Sequence, residues 1–112
     1  MEILFKSNKL EKQLNSQRDC QKTWGANNGK KIQQRMAELS AAETLSVMFS
    51  LPCNCHELKQ NRAGQFTVDA KYPYRLIFEP AHDPIPRKED GGIDPSRITR
   101  IRIIEVVDYH GD

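Results

Sequence analysis

Three short segments hold most of the side chains able to move protons or hold phosphate. They are Cys55-His56-Glu57-Leu58-Lys59-Gln60-Asn61-Arg62-Ala63-Gly64, Tyr74-Arg75-Leu76-Ile77-Phe78 and Glu105-Val106-Val107-Asp108-Tyr109-His110. His56 and His110 are imidazoles able to take or give a proton, Asp108 can act as a base or orient a histidine, and Lys59 and Arg75 are cations suited to phosphate. Metal-free cleavage of RNA needs that inventory: a base for the 2′-OH proton, an acid for the departing 5′-oxygen, and cations where phosphate charge builds up. If the last segment is an extended strand, Asp108 and His110 share one face and Tyr109 points the other way.

Every one of these residues also has an ordinary structural use. A histidine beside a turn, such as His56, is often a surface or hydrogen-bonded group. Arg75 can pair with Asp69, Asp108 or Glu79. Tyr109 can be a core or edge aromatic with a satisfied hydroxyl, and residues 61 to 64 read as a turn with Arg62 solvated or in an ion pair. Cys53, Cys55 and His56 supply at most three clustered metal ligands at an unusual spacing, while Cys20 lies far away, so no metal site is expected. The cysteines read instead as buried small hydrophobes in a reducing compartment. His82 falls in a proline-rich loop where solvent exposure is expected.

The elements that must position these groups follow from periodicity and turn residues. A strand is expected at residues 2 to 6. Ser7 or Asn8 then caps a helix through Leu10 and Leu14, with a break near Asn15-Ser16. Gly25 and Asn27-Asn28-Gly29 punctuate the chain. From Lys30, the i, i+4, i+7 spacing of Ile32, Met36 and Leu39 marks an amphipathic helix, with Lys31, Gln33, Gln34, Arg35 and Glu38 on its other faces. Residues 41 to 48 extend or restart it, and Pro52 closes the helical half.

Strands are expected at residues 65 to 71, 74 to 79 and 98 to 110. In the first, Phe66, Val68 and Ala70 share one face and Thr67, Asp69 and Lys71 the other. Tyr72-Pro73 joins it to the second as an antiparallel hairpin. The near-continuous apolar run from Ile101 to Val107 suggests a central strand covered on both faces. Prolines and glycines between residues 80 and 97 mark an exposed loop. Helices first and strands after is an α+β layout.

Composition sets the outer limits. The 112 residues fit a single domain spanning 1–112, and 38% hydrophobic against 29% charged residues suits a compact core with a polar surface. The opening residues are too short an apolar run for a signal peptide, and no segment approaches a membrane span, so a cytoplasmic protein without a membrane partner is expected. Net charge is only +2, but it is zoned. Residues 1 to 38 carry eight Lys/Arg against four Asp/Glu, and residues 76 to 96 carry five acids against Arg87 and Lys88.

Taken in order, the three chemical segments resemble the HigB branch of the RelE/ParE toxin superfamily. Members are similar in reading His-x-Leu-Lys-Gly-Asp/Asn-Arg-x-Gly, then a strand, an aromatic-Arg-hydrophobic strand and a terminal Asp-Tyr-His. The resemblance spans nearly the whole chain. It implies a RelE-like, microbial-ribonuclease-like fold, with N-terminal helices packed on a twisted antiparallel sheet. It also implies a ribosome-dependent, metal- and cofactor-independent endoribonuclease toxin that cuts mRNA on the ribosome and is restrained by a HigA-like helix-turn-helix antitoxin. Carried over by position, the catalytic set is His56, Lys59, Arg75, Asp108, Tyr109 and His110, and the RNA-binding set is Lys59, Arg62, Lys71 and Arg75. Gln60 stands where the family usually has glycine, and the loop of residues 80 to 97 is an extension. ParE-type relatives, similar in fold, inhibit DNA gyrase without catalysis, but His56 and the Asp108-Tyr109-His110 ending favour the nuclease. An antitoxin role is disfavoured because no helix-turn-helix is evident.

Overall fold

The structure, a computed structural model, describes residues 1 to 108. The chain opens with strand β1 (Glu2–Phe5) and continues through helices α1 (Asn8–Asn15), α2 (Gln17–Trp24), α3 (Ala26–Ala41) and α4 (Leu45–Met48). Four strands follow, β2 (His56–Glu57), β3 (Phe66–Asp69), β4 (Tyr74–Pro80) and β5 (Arg100–Asp108), with single 3-10 turns at Gln60–Arg62 and Pro95–Arg97. The layout is α+β. The five strands form one sheet in the order β1-β5-β4-β3-β2.

Local chemistry sets the helix boundaries. Ser7 caps α1 by accepting the Leu10 N–H, and Ser16 caps α2 by accepting the Asp19 N–H. These satisfy amides that have no partner within their helices. Gly25, at φ 92°, then turns the chain directly into α3. The expected punctuation at Asn27-Asn28-Gly29 does not occur, because these residues form the first turns of α3. Gly29 is there for contact: a Cβ would stand 2.8 Å from the Gln21 backbone, so α2 and α3 approach too closely for a side chain.

Ile32 and Leu39 of α3 are fully buried, with Met36 packed at their edge. They join Leu10, Leu14, Cys20, Leu45 and Met48 from the other helices against Phe66, Val68, Leu76, Phe78, Ile101 and Ile103 of the sheet. Each such side chain contributes roughly 1.5–3 kcal/mol by leaving water. Arg35 departs from its expected place among the solvated residues of α3. It is buried, its Nε donates to the Asp69 carbonyl at 2.6 Å, and its Nη1 pairs with Glu38 at 2.9 Å. Burial of that guanidinium is tolerated because its donors are satisfied.

The β3–β4 hairpin forms as expected, with Phe66↔Phe78 and Asp69↔Arg75 at its two ends. Two features of the sheet differ from expectation. β1 runs parallel to β5, pairing Ile3 with Ile101 and Phe5 with Ile103, so the sheet is mixed. β5 is an interior strand between β1 and β4, not the central one, and is covered on one face: Ile101 and Ile103 are buried while Arg102, Glu105 and Val107 remain partly exposed. The segment of residues 81 to 99 is also more anchored than its composition suggests. Ile93 and Ile98 are buried, the Ile98 carbonyl accepts the Leu45 N–H at 3.0 Å, and His82 Nε2 accepts the Thr99 N–H at 3.0 Å. No helix among the described residues is long and apolar enough to cross a membrane.

Candidate functional site

Side chains alternate across a strand, so the core contacts of Phe66, Val68, Leu76 and Phe78 send Thr67, Asp69, Arg75 and Ile77 to the opposite face of the sheet. Register then assembles cross-strand rows on that face. One row runs His56, Thr67, Ile77 and Glu105, and the next holds Asp69, Arg75 and Val107. His56 and Arg75, nineteen positions apart in the chain, thereby reach neighbouring rows of one surface.

A chain of polar contacts connects them. His56 Nδ1 lies 2.9 Å from the Asn54 carbonyl oxygen. The carbonyl has no proton to give, so Nδ1 donates and the Nε2 lone pair is left for a substrate proton. Asn54, held at φ 53°, sends its amide Nδ2 to Asp69 Oδ1 at 3.5 Å. The same Asp69 oxygen lies 3.6 Å from Arg75 Nε. Asp69 is itself fixed from both sides, its N–H donating to Cys53 O and its carbonyl accepting from Arg35. Of the partners the sequence offered Arg75, Asp69 lies across the strand pair at 3.6 Å, while Glu79 goes to Arg102 at 3.2 Å.

The loop between β2 and β3 closes over part of this face. Arg62 reaches across to Glu105, Nη2 to Oε1 at 2.8 Å, and its Nη1 donates to Gln65 Oε1 at 2.8 Å. Its structural use as an ion pair is thus realised. Thr67 and Ile77 have no exposed surface although they lie off the main core, as a covering loop requires. Gln60 begins the 3-10 turn within this loop at φ 59°, a left-handed conformation. That explains why a glycine suits the position and why Gln60 is a strained replacement. Lys59 and Lys71 are exposed at the margins.

Asp108 is the last described residue, exposed, and paired in register with Tyr74. Val107 is the residue opposite Arg75, so by the same alternation Asp108 shares the face of Tyr74 and not the face of Arg75. Tyr109 and His110 lie outside the described residues. The structure therefore brings together His56, Arg75 and, through the loop, Arg62, and it leaves the terminal triplet to sequence. Asn54 and Asp69 are the members that sequence reading missed as a unit: each is an unremarkable turn or strand residue until the β2–β3 register joins them.

Among the described residues no three His, Cys, Asp or Glu side chains cluster as a metal site would require. Cys53 and Cys55 are buried, and burial pushes the Cys55 thiol up to about 12. Cys20 is likewise pushed up to about 11 by burial between α2 and α3.

No family model matches the sequence, and no curated protein matches it. Among solved structures, a YoeB/ParE toxin from Agrobacterium tumefaciens is similar, with a TM-score of 0.58 at 12% identity. The likeness covers 98% of this chain and 100% of that one. At this identity it is the arrangement of helices on the five-stranded sheet that is shared, and that arrangement is the RelE-like fold.

Proposed function

We propose that the chain is the toxin of a toxin–antitoxin pair and acts as a metal-independent endoribonuclease on mRNA at the ribosome. The observation that carries this reading is the placement of a tautomer-fixed His56 and a carboxylate-held Arg75 on adjacent rows of the sheet face opposite the helices. In this reading His56 Nε2 takes the 2′-OH proton and the 2′-oxygen attacks the neighbouring phosphorus. Arg75 and Lys59 balance the charge on the pentacovalent phosphate, and His110 gives a proton to the departing 5′-oxygen. Asp108 orients that histidine, and Tyr109 positions a base or phosphate. A helix-turn-helix antitoxin of HigA type is the expected restraint. The RelE-like fold and the ordered motif set support the assignment.

Induction of the chain alone tests it. Growth should stop, and primer extension should reveal new 5′ ends within translated frames. Growth arrest with intact transcripts and trapped gyrase–DNA complexes would replace the nuclease with a non-catalytic ParE-type inhibitor.

A further inference from the structure

Three large hydrophobic side chains are exposed among the described residues, and one stands apart. Val47 and Phe49 keep about half of their surface covered, whereas Tyr72, at the tip of the β3–β4 hairpin, is 86% exposed. Folding gains almost nothing from that ring, since burial is what makes an aromatic stabilising.

The tip that carries it is firmly built. The Ala70 N–H donates to the Tyr74 carbonyl at 3.0 Å and the Tyr74 N–H to the Lys71 carbonyl at 2.9 Å. From behind, α3 grips the hairpin at two points on one helix face. Asn28 Oδ1, in a buried side chain, accepts the Lys71 N–H at 3.0 Å, and Arg35 Nε donates to the Asp69 carbonyl at 2.6 Å. The helix thus holds an aromatic ring out in water at a fixed place.

The surroundings select the ligand. Lys71 beside the ring is exposed, and Arg75 lies in the last cross-strand pair before the turn of the same hairpin. Between ring and guanidinium is a depression of about 60 Å³, lined by Asp69, Ala70, Tyr72, Pro73, Tyr74 and Arg75. It has room for about two waters, so a nucleobase cannot be enclosed there and must lie flat on the ring. An exposed aromatic face flanked by cations is how proteins hold splayed bases of single-stranded nucleic acid.

We propose that Tyr72 is a stacking platform for one unpaired base of single-stranded RNA, held by α3 and set beside the phosphate site at Arg75. The proposal rests on the RNA-cleaving reading and adds a base-contacting residue to it.

Titration of wild type, Tyr72→Ala and Tyr72→Phe with a short single-stranded oligoribonucleotide tests it, repeated with an abasic site moved along the strand. Tyr72→Ala should bind roughly 5- to 150-fold more weakly and Tyr72→Phe about as wild type. At one position the abasic site should cost wild type the same factor and cost Tyr72→Ala nothing further. Wild-type affinity in Tyr72→Ala, equal abasic penalties in both proteins, or no oligonucleotide binding by wild type would overturn the platform. So would loss of a partner protein by Tyr72→Ala at unchanged RNA affinity, which would move the residue to a protein interface. Cleavage measured in parallel separates the two readings. Stacking of this pattern with uncut transcripts removes the nuclease and keeps the platform; unchanged cutting and binding by Tyr72→Ala removes the platform and keeps the nuclease.

Discussion

The two faces of the sheet obey different rules. On the helix side, Phe66, Val68, Leu76, Phe78, Ile101 and Ile103 are buried with at most 1% of their surface exposed. On the other side the same strands present Asp69, Arg75, Glu79, Arg102 and Glu105, each partly exposed and each in an ion pair. Hydrophobic burial makes the first face indispensable for folding. Half-exposed ion pairs contribute little to stability, so the second face is free to be organised for chemistry, and its polar contacts are explained better by the positions they fix than by the energy they add.

The sharpest test contrasts the faces directly. Phe78→Ala should cost about 3–5 kcal/mol in denaturant unfolding. His56→Ala should stay within about 0.5 kcal/mol of wild type yet lose cleavage by ~10²–10⁴-fold, as removal of an acid–base group does. His110→Ala should behave as His56→Ala does. A His56→Ala protein that unfolds, or one that is folded and fully active, would break the division between the faces.

Arg35 bridges the two regions, and its loss should fall between those extremes. Arg35→Ala leaves the Asp69 carbonyl without its donor, which should cost about 1.5–3 kcal/mol. Because Asp69 also holds Arg75 and Asn54, cleavage should fall beyond what instability explains. Measuring activity well below the variant's Tm separates the effects; normal activity there would confine Arg35 to the core.

A smaller effect is expected from the Arg62–Glu105 pair, whose side chains are 29% and 36% exposed. A double-mutant cycle of Arg62→Ala and Glu105→Ala should give a coupling of about 0.2–1 kcal/mol that shrinks in high salt. A coupling several-fold larger would mean that the covering loop belongs energetically to the core. The smallest change runs the other way. Gln60→Gly removes a side chain from a left-handed position and should stabilise the protein by roughly 0.5–1 kcal/mol, read as a higher midpoint of urea unfolding. Loss of stability would show that Gln60 makes up its strain by other means.

Thiol labelling gives a further check on the packed side. With thiols pushed up to about 11 and about 12 by burial, Cys20 and Cys55 should resist alkylation near neutral pH and react fully only after unfolding. Rapid labelling of the native protein would show that the core opens there.

Much of this architecture is written in local sequence. Ser7 and Ser16 mark helix starts through their own hydroxyls, the alternation of Phe66, Val68 and Ala70 declares a strand with one buried face, and the 3.6-residue spacing of Ile32, Met36 and Leu39 declares a buried helix stripe. Such signals need only neighbouring residues. The chemical groups His56 and Arg75 were legible by type and by their place in an ordered motif set. What the sequence could not determine depends on partners brought together by folding: the parallel seat of β1 on β5, the burial of Arg35, the reach of Arg62 to Glu105, and the Asn54 and Asp69 link between His56 and Arg75. Each is fixed by strand register and helix docking, where a slip of one residue would turn the side chain to the other face. Such choices are made by the packed core as a whole, and for that reason only the tertiary structure decides them.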